Sequence, residues 1–257
     1  MVTARSGSSV SFARSSRAVV VDVGGRFMTS PEMGEMGESL HLSAEVLYFR
    51  GRAGALGDVV AQAAWSVLAI FPRPVVAMVW EQTSEIPPPA AVAAYERACH
   101  EWGRRHLSGV PDLARLAELA ERLIDGADTS ALPLASAWID RLRPDDRSAR
   151  AAHVLNLLRE LRGGLHFCAL RSECLDVAVA VLADPGGGVP RLRRTAWQEP
   201  WIRDVEQRAA AVPDLAQRWA RAEEATDSAF AACAGRLSEG ERSELLGLLT
   251  VVAEHTG

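Results

Sequence analysis

Residues 157 to 170 read LLRELRGGLHFCAL. On a helix, Arg159, Arg162 and His166 fall on one side, because each residue turns the chain by about 100°. His166 stands among Leu165, Phe167 and Cys168. In such company an imidazole is either a satisfied core residue or a pocket base or metal ligand whose proton affinity burial tunes. Gly163 and Gly164 interrupt the same helix at a propensity cost of ~1 kcal/mol each. That cost implies close approach of the backbone to a packing partner or a ligand.

A second stretch, LYFRGRAGALG, spans residues 47 to 57. Its glycines are spaced GxxGxxG, which is neither a dinucleotide fingerprint nor a P-loop. Arg50 and Arg52 would point about 200° apart on a helix. They share a target only if the chain bends at Gly51; otherwise one snorkels while the other pairs with a buried acid such as Glu32 or Glu45. The segment reads as a bent helix end that aims one arginine into a pocket shared with His166. Asp22, inside the apolar run AVVVDV, is either a cap or turn residue or a buried functional acid. Asp145-Asp146 reads as a helix cap, since no further aspartate follows at DDxxD spacing. His100 and His106 read as solvated, and RLRRTAW (191 to 197) as a solvated linker.

The elements that must carry these groups are helical. Of the 257 residues 48% are apolar, few are aromatic, and alanine and leucine are frequent, a composition that favours helices over strands. The pattern predicts an all-α multi-helix bundle of about ten helices with a C-terminal helical extension. Asp145-Asp146 opens a long helix through RSE, Ser30-Pro31 opens another, and Ser238 with Glu241 makes a capping box before the last. Pro185-Gly186-Gly187-Gly188 marks a boundary. The expected organisation is a flexible tail over 1–17, a helical core over 18–185, and a C-terminal helical region over 186–257.

The formal net charge is -5 and lysine is absent, every basic side chain being arginine or histidine. Arginine-for-lysine usage of this kind reflects codon bias, and a mildly acidic chain is a poor candidate for duplex nucleic acid. The four cysteines form no CxxC pair, which predicts reduced thiols and neither a zinc module nor a disulfide framework. The longest apolar run is too short to span a bilayer and the N-terminus lacks a signal h-region. The expected location is the cytoplasm.

Three stretches in order, FMTSPE (27 to 32), YFRGRAGALG (48 to 57) and LRELRGGLHFCAL (158 to 170), together with the closing RWARAEEATDSAFAACAGRLSEGERSELLGLL, carry a resemblance. The chain resembles the actinobacterial SalK-type proteins, a helix-turn-helix family with a MarR-like flavour, over most of residues 20 to 250. Where that family carries a histidine this chain has Asp22, and the region between Trp197 and Arg218 is short for a full winged helix, so a degenerate form is implied. The resemblance implies that Asp22, Glu32, Arg50, Arg52 and His166 converge in the helical core, where each is costly to bury unpaired.

The resulting expectation is a small-molecule-binding protein, acting as an enzyme of bacterial specialised metabolism. His166, Asp22 and Glu32 would be its acid and base groups, and Arg50, Arg52, Arg162 and Tyr48 its ligand-binding groups. Such an isomerase, lyase or cyclase needs no cofactor. A variant reading makes Asp22, Glu32 and His166 a facial metal set. The rival functions are a ligand-responsive transcription regulator and a non-catalytic binding protein; a homodimer fits any of them.

Overall fold

The computed structural model describes the backbone of residues 2–257 and side chains from residue 9 onward. Among the described residues there are fourteen α-helices, two short 3-10 turns and no strand. Helix α9 (Arg147–Ser172) is central. Its first half, RSARAAHVLNLLRELR, shows no apolar stripe, and the residues from Ser148 to Arg162 are buried on nearly every side, as expected of a helix enclosed by others. Those around it are α1 (Val2–Val23), α6 (Pro88–His106), α7 (Leu113–Ile124), α8 (Pro133–Ile139) and α13 (Leu215–Cys233). Asp146 caps α9 by accepting the amide of Ala149 at 2.8 Å.

Around this centre, α2 (Pro31–Glu38) and α3 (Ala44–Gly54) lie on α6, and α3 also meets α4 (Ala61–Val67) and α5 (Arg73–Gln82). The last helix, α14 (Glu239–His255), opens with the capping box of Ser238 and Glu241 and packs on α1 and α7. Gly51 sets the distance between α3 and α6. A Cβ there would lie 2.6 Å from the Tyr95 Cβ and 2.9 Å from the Ala91 carbonyl, so the contact tolerates only hydrogen.

The tail expected over residues 1–17 is a correction. Met1 lies outside the described residues, but α1 begins at Val2. Phe12, Ala13, Ser16, Val20 and Val23 are buried along it. That spacing is a helical stripe, hidden in the sequence by serines and arginines on the other faces.

Nor do the apolar clusters divide at residue 185. One gathers most of the chain, including Phe230 of α13 and Leu245, Leu249 and Val252 of α14. The smaller one is formed by Ala169 and Leu170 of α9, α10 (Val177–Ala183), Leu192 of α11 (Gly188–Arg194), Ile202 and Val205 of α12 (Glu199–Ala210) and Ala222 of α13. The chain leaves the main core along α9 and re-enters it along α13. Pro185 to Gly187 is only the turn between α10 and α11, and Trp197 donates to the Ile70 carbonyl at 2.8 Å, both side chains packing on the smaller cluster.

Candidate ligand-binding site

The two chemistry-bearing faces of α9 look in opposite directions. Glu160 and Arg162 are two residues apart, about 200° on a helix. Glu160, Gly163, Gly164, Phe167 and Arg171 share one face, and Arg162 and His166 occupy the other.

On the first face, Glu160 and Arg52 form a buried bidentate pair. Arg52 Nε reaches Glu160 Oε1 at 2.9 Å and Nη2 reaches Oε2 at 2.8 Å. Arg159 adds a bond to Oε1 at 3.0 Å, and Arg52 Nη1 donates to the Tyr48 hydroxyl at 2.8 Å. Burial by itself would raise the Glu160 carboxyl, but the two guanidiniums outweigh it and hold it below its usual range. Burial would likewise lower Arg52, and Glu160 holds it above its ordinary value. Both stay charged. The backbone under Arg52 is fixed as well, its carbonyl accepting the Trp138 indole N–H at 3.0 Å.

This pair lines a cavity of about 480 Å³, together with Val67 of α4, the 131–132 loop, Leu134 and Ala135 of α8, and Gly163, Gly164, Phe167, Cys168 and Arg171 of α9. Arg52, Glu160, Val67, Leu132, Leu134 and Ala135 are buried and form its depth, whereas Ser66, Ala131, Pro133, Cys168 and Arg171 are exposed and form its mouth. The glycine doublet has its reason here. A Cβ on Gly163 would meet nothing within 4 Å, and one on Gly164 would press on Leu132 at 3.1 Å. The first keeps space open; the second brings α9 against the loop.

On the opposite face, Arg162 Nη2 bonds Asp227 Oδ1 at 2.9 Å and Arg17 Nη2 bonds Asp227 Oδ2 at 2.6 Å. Arg17 also reaches Glu223 at 2.8 Å. His166 Nδ1 lies 3.2 Å from Thr226 Oγ1 and 3.3 Å from Glu223 Oε1. The Thr226 hydroxyl donates to the Ala222 carbonyl, so it can only accept from His166, which places the imidazole proton on Nδ1. Burial, then the charges of Arg162 and Arg191, push His166 down to about 4, and burial raises Glu223. A neutral ring of such low basicity is a weak proton acceptor at pH 7. This cluster ties α1, α9 and α13 together.

The convergence of Asp22, Glu32, Arg50, Arg52 and His166 is therefore corrected. Asp22 is on the surface, paired one turn along with Arg26 at 2.6 Å. Glu32 is buried, but its Oε1 meets Arg105 and His106, each at 3.2 Å, which staples the start of α2 to the end of α6. Arg50 donates to the Ile86 carbonyl at 2.8 Å and covers the Trp80 ring at 4.9 Å. Arg52 and Tyr48 belong to the cavity pair, and Arg162 and His166 to the α13 cluster. Asp22, Glu32 and His166 share no partner, so they make no metal set; among the described residues no three His, Cys, Asp or Glu side chains gather at one point. Reasoning from residue types missed Glu160, Asp227, Glu223, Arg17 and Arg171. Glu160 left one signal: it is the sole acid in the α9 stretch from Arg147 to Arg171, most of which is apolar.

A family model described as a helix-turn-helix family matches residues 13–256. No curated protein and no solved structure matches the chain.

Proposed function

The chain belongs to the helix-turn-helix family, and from that premise we propose that it is a small-molecule-binding protein whose ligand occupies the cavity between α3, α4, α8 and α9. The observation that carries this reading is the cavity itself: about 480 Å³, within the range of small-molecule sites, mainly apolar, with the buried Arg52–Glu160 pair in its depth. The geometry favours binding over acid–base catalysis. Glu160 is held ionised with both oxygens engaged, which suits fixed electrostatics and not proton transfer, and His166 faces away from the cavity. The finer kinship with SalK-type and MarR-like proteins, read from FMTSPE, YFRGRAGALG and LRELRGGLHFCAL, is part of the proposal.

The test is a cavity-filling variant. Gly163→Met should fold like the parent, since a Cβ at that position meets nothing, and should lose any small molecule that native mass spectrometry finds on the parent. A Gly163→Met protein that retains the parent's ligand overturns the assignment. The family favours a second reading, a ligand-responsive transcription regulator. Several arginines around the smaller cluster are already engaged: Arg191 with Asp184, Arg193 with Glu199, and Arg208 with Asp176 and Asp204. Absence of a sequence-specific gel shift at low salt would end that reading.

A further inference from the structure

Resting on the cavity reading above, we propose that the ligand is an amphipathic organic anion, an apolar body with one carboxylate or similar oxyanion, and that Arg171 at the mouth holds its charged head. The lining contains three charged side chains: Arg52, Glu160 and Arg171. Arg52 already commits three of its five N–H donors to Glu160 and Tyr48, and its charge is matched by the Glu160 carboxylate. The Glu160 charge is matched by Arg52 and shared again with Arg159. The depth of the cavity is thus electrostatically closed, and the formal balance of the lining is one positive charge, located on Arg171.

Among the described residues Arg171 makes one hydrogen bond, from Nη1 to the Leu175 carbonyl at 3.3 Å, and meets no carboxylate. The nearest acid along the chain, Glu173, is engaged by Arg221 at 2.7 Å. The guanidinium therefore keeps most of its fork for an oxyanion, the geometry it recognises best. Phe167, Leu132, Leu134, Val67 and the open Gly163 line the same cavity and offer an apolar body its contact surface. A cation in the last turn of α9 also complements the helix dipole, but that explanation requires nothing of a ligand, so the two are separable.

The experiment uses two fluorescent probes with one skeleton, 8-anilinonaphthalene-1-sulfonate and the neutral N-phenyl-1-naphthylamine, titrated at low ionic strength into the full-length protein, Arg171→Gln, Arg171→Lys and Gly163→Met. The anion should bind the parent about tenfold more tightly than the neutral probe, a charge-assisted gain on the scale of 1.4 kcal/mol. Arg171→Gln should abolish that preference with the neutral probe unchanged, Arg171→Lys should keep part of it, and Gly163→Met should weaken both probes. Equal binding of the two probes, or an anion preference indifferent to Arg171→Gln, overturns the anion assignment while leaving the cavity in place. Failure of both probes to bind, or binding of both that Gly163→Met does not weaken, overturns the cavity reading and the anion with it.

Discussion

Glu160→Gln keeps the shape of the side chain and removes its charge. In the native protein the carboxylate accepts three charge-assisted bonds, two from Arg52 and one from Arg159, with the Glu160 side chain 2% and the Arg52 side chain 9% exposed. Glutamine accepts through one oxygen only and turns an NH2 donor toward the Arg52 guanidinium. Arg52 is left buried with no counter-charge, a defect that costs about 3–5 kcal/mol. At roughly 2–4 °C per kcal/mol for a chain near this size, Tm should fall by about 6–20 °C. Urea denaturation at pH 7 and calorimetry measure both. A loss below about 1 kcal/mol would refute the buried-pair argument. The pH dependence has a definite sign. Glu160 is depressed when folded, so its contribution is present above the unfolded value near 4.5 and is lost as pH falls through the folded one. The gap between parent and variant should be flat from pH 6 to 8 and shrink in acid. The double variant Arg52→Met, Glu160→Leu should recover most of the loss, because a well-packed apolar pair can replace a buried ion pair.

Two further outcomes are expected. Gly51→Ala must push apart α3 and α6, where its methyl would sit 2.6 Å from the Tyr95 Cβ, and should destabilise by about 1–3 kcal/mol in chemical denaturation; an unchanged midpoint would show that the two helices are not locked there. His166 should titrate near 4 by NMR. Its folded pKa lies below the unfolded 6.5, so the unfolded state takes the proton first and stability is lost as pH falls from 6.5 toward 4, by up to about 3 kcal/mol from this group; Glu223, shifted upward, offsets part of that. A midpoint near 6.5 would mean that the ring is solvated.

The helices were legible because their signals are local. The Asp146 cap, the Ser238–Glu241 box and the Pro31 start all stand where the sequence places them. Less legible was the break between α2 and α3, where the chain turns at Ser39 to Leu42 with His41 in the left-handed region at φ 58°. The side-chain clusters were not legible, because partners come from far along the chain: 108 residues separate Arg52 from Glu160, and 210 separate Arg17 from Asp227. Phase along a helix told which of two arginines would diverge, as Arg50 and Arg52 do, but not which acid each would meet. His100 illustrates the same limit. It reads as solvated on a charged helix, yet its Nε2 lies 3.1 Å from Nδ1 of the buried His153, a neighbour that only tertiary packing supplies.

The pairing of α9 with α13 has one more consequence. Arg162 meets Asp227, His166 meets Glu223, and Glu173 meets Arg221, so the partner number falls as the α9 number rises and the two helices run antiparallel. They form the stem of a long helical hairpin, and α10, α11 and α12 are its elaborated loop. Because entry and exit lie side by side, that loop is a cassette: its length and surface can change while the stem, and the cavity on the far side of α9, keep their shape. The fold thus separates a half that encloses the cavity from a half whose connections can vary on the outside.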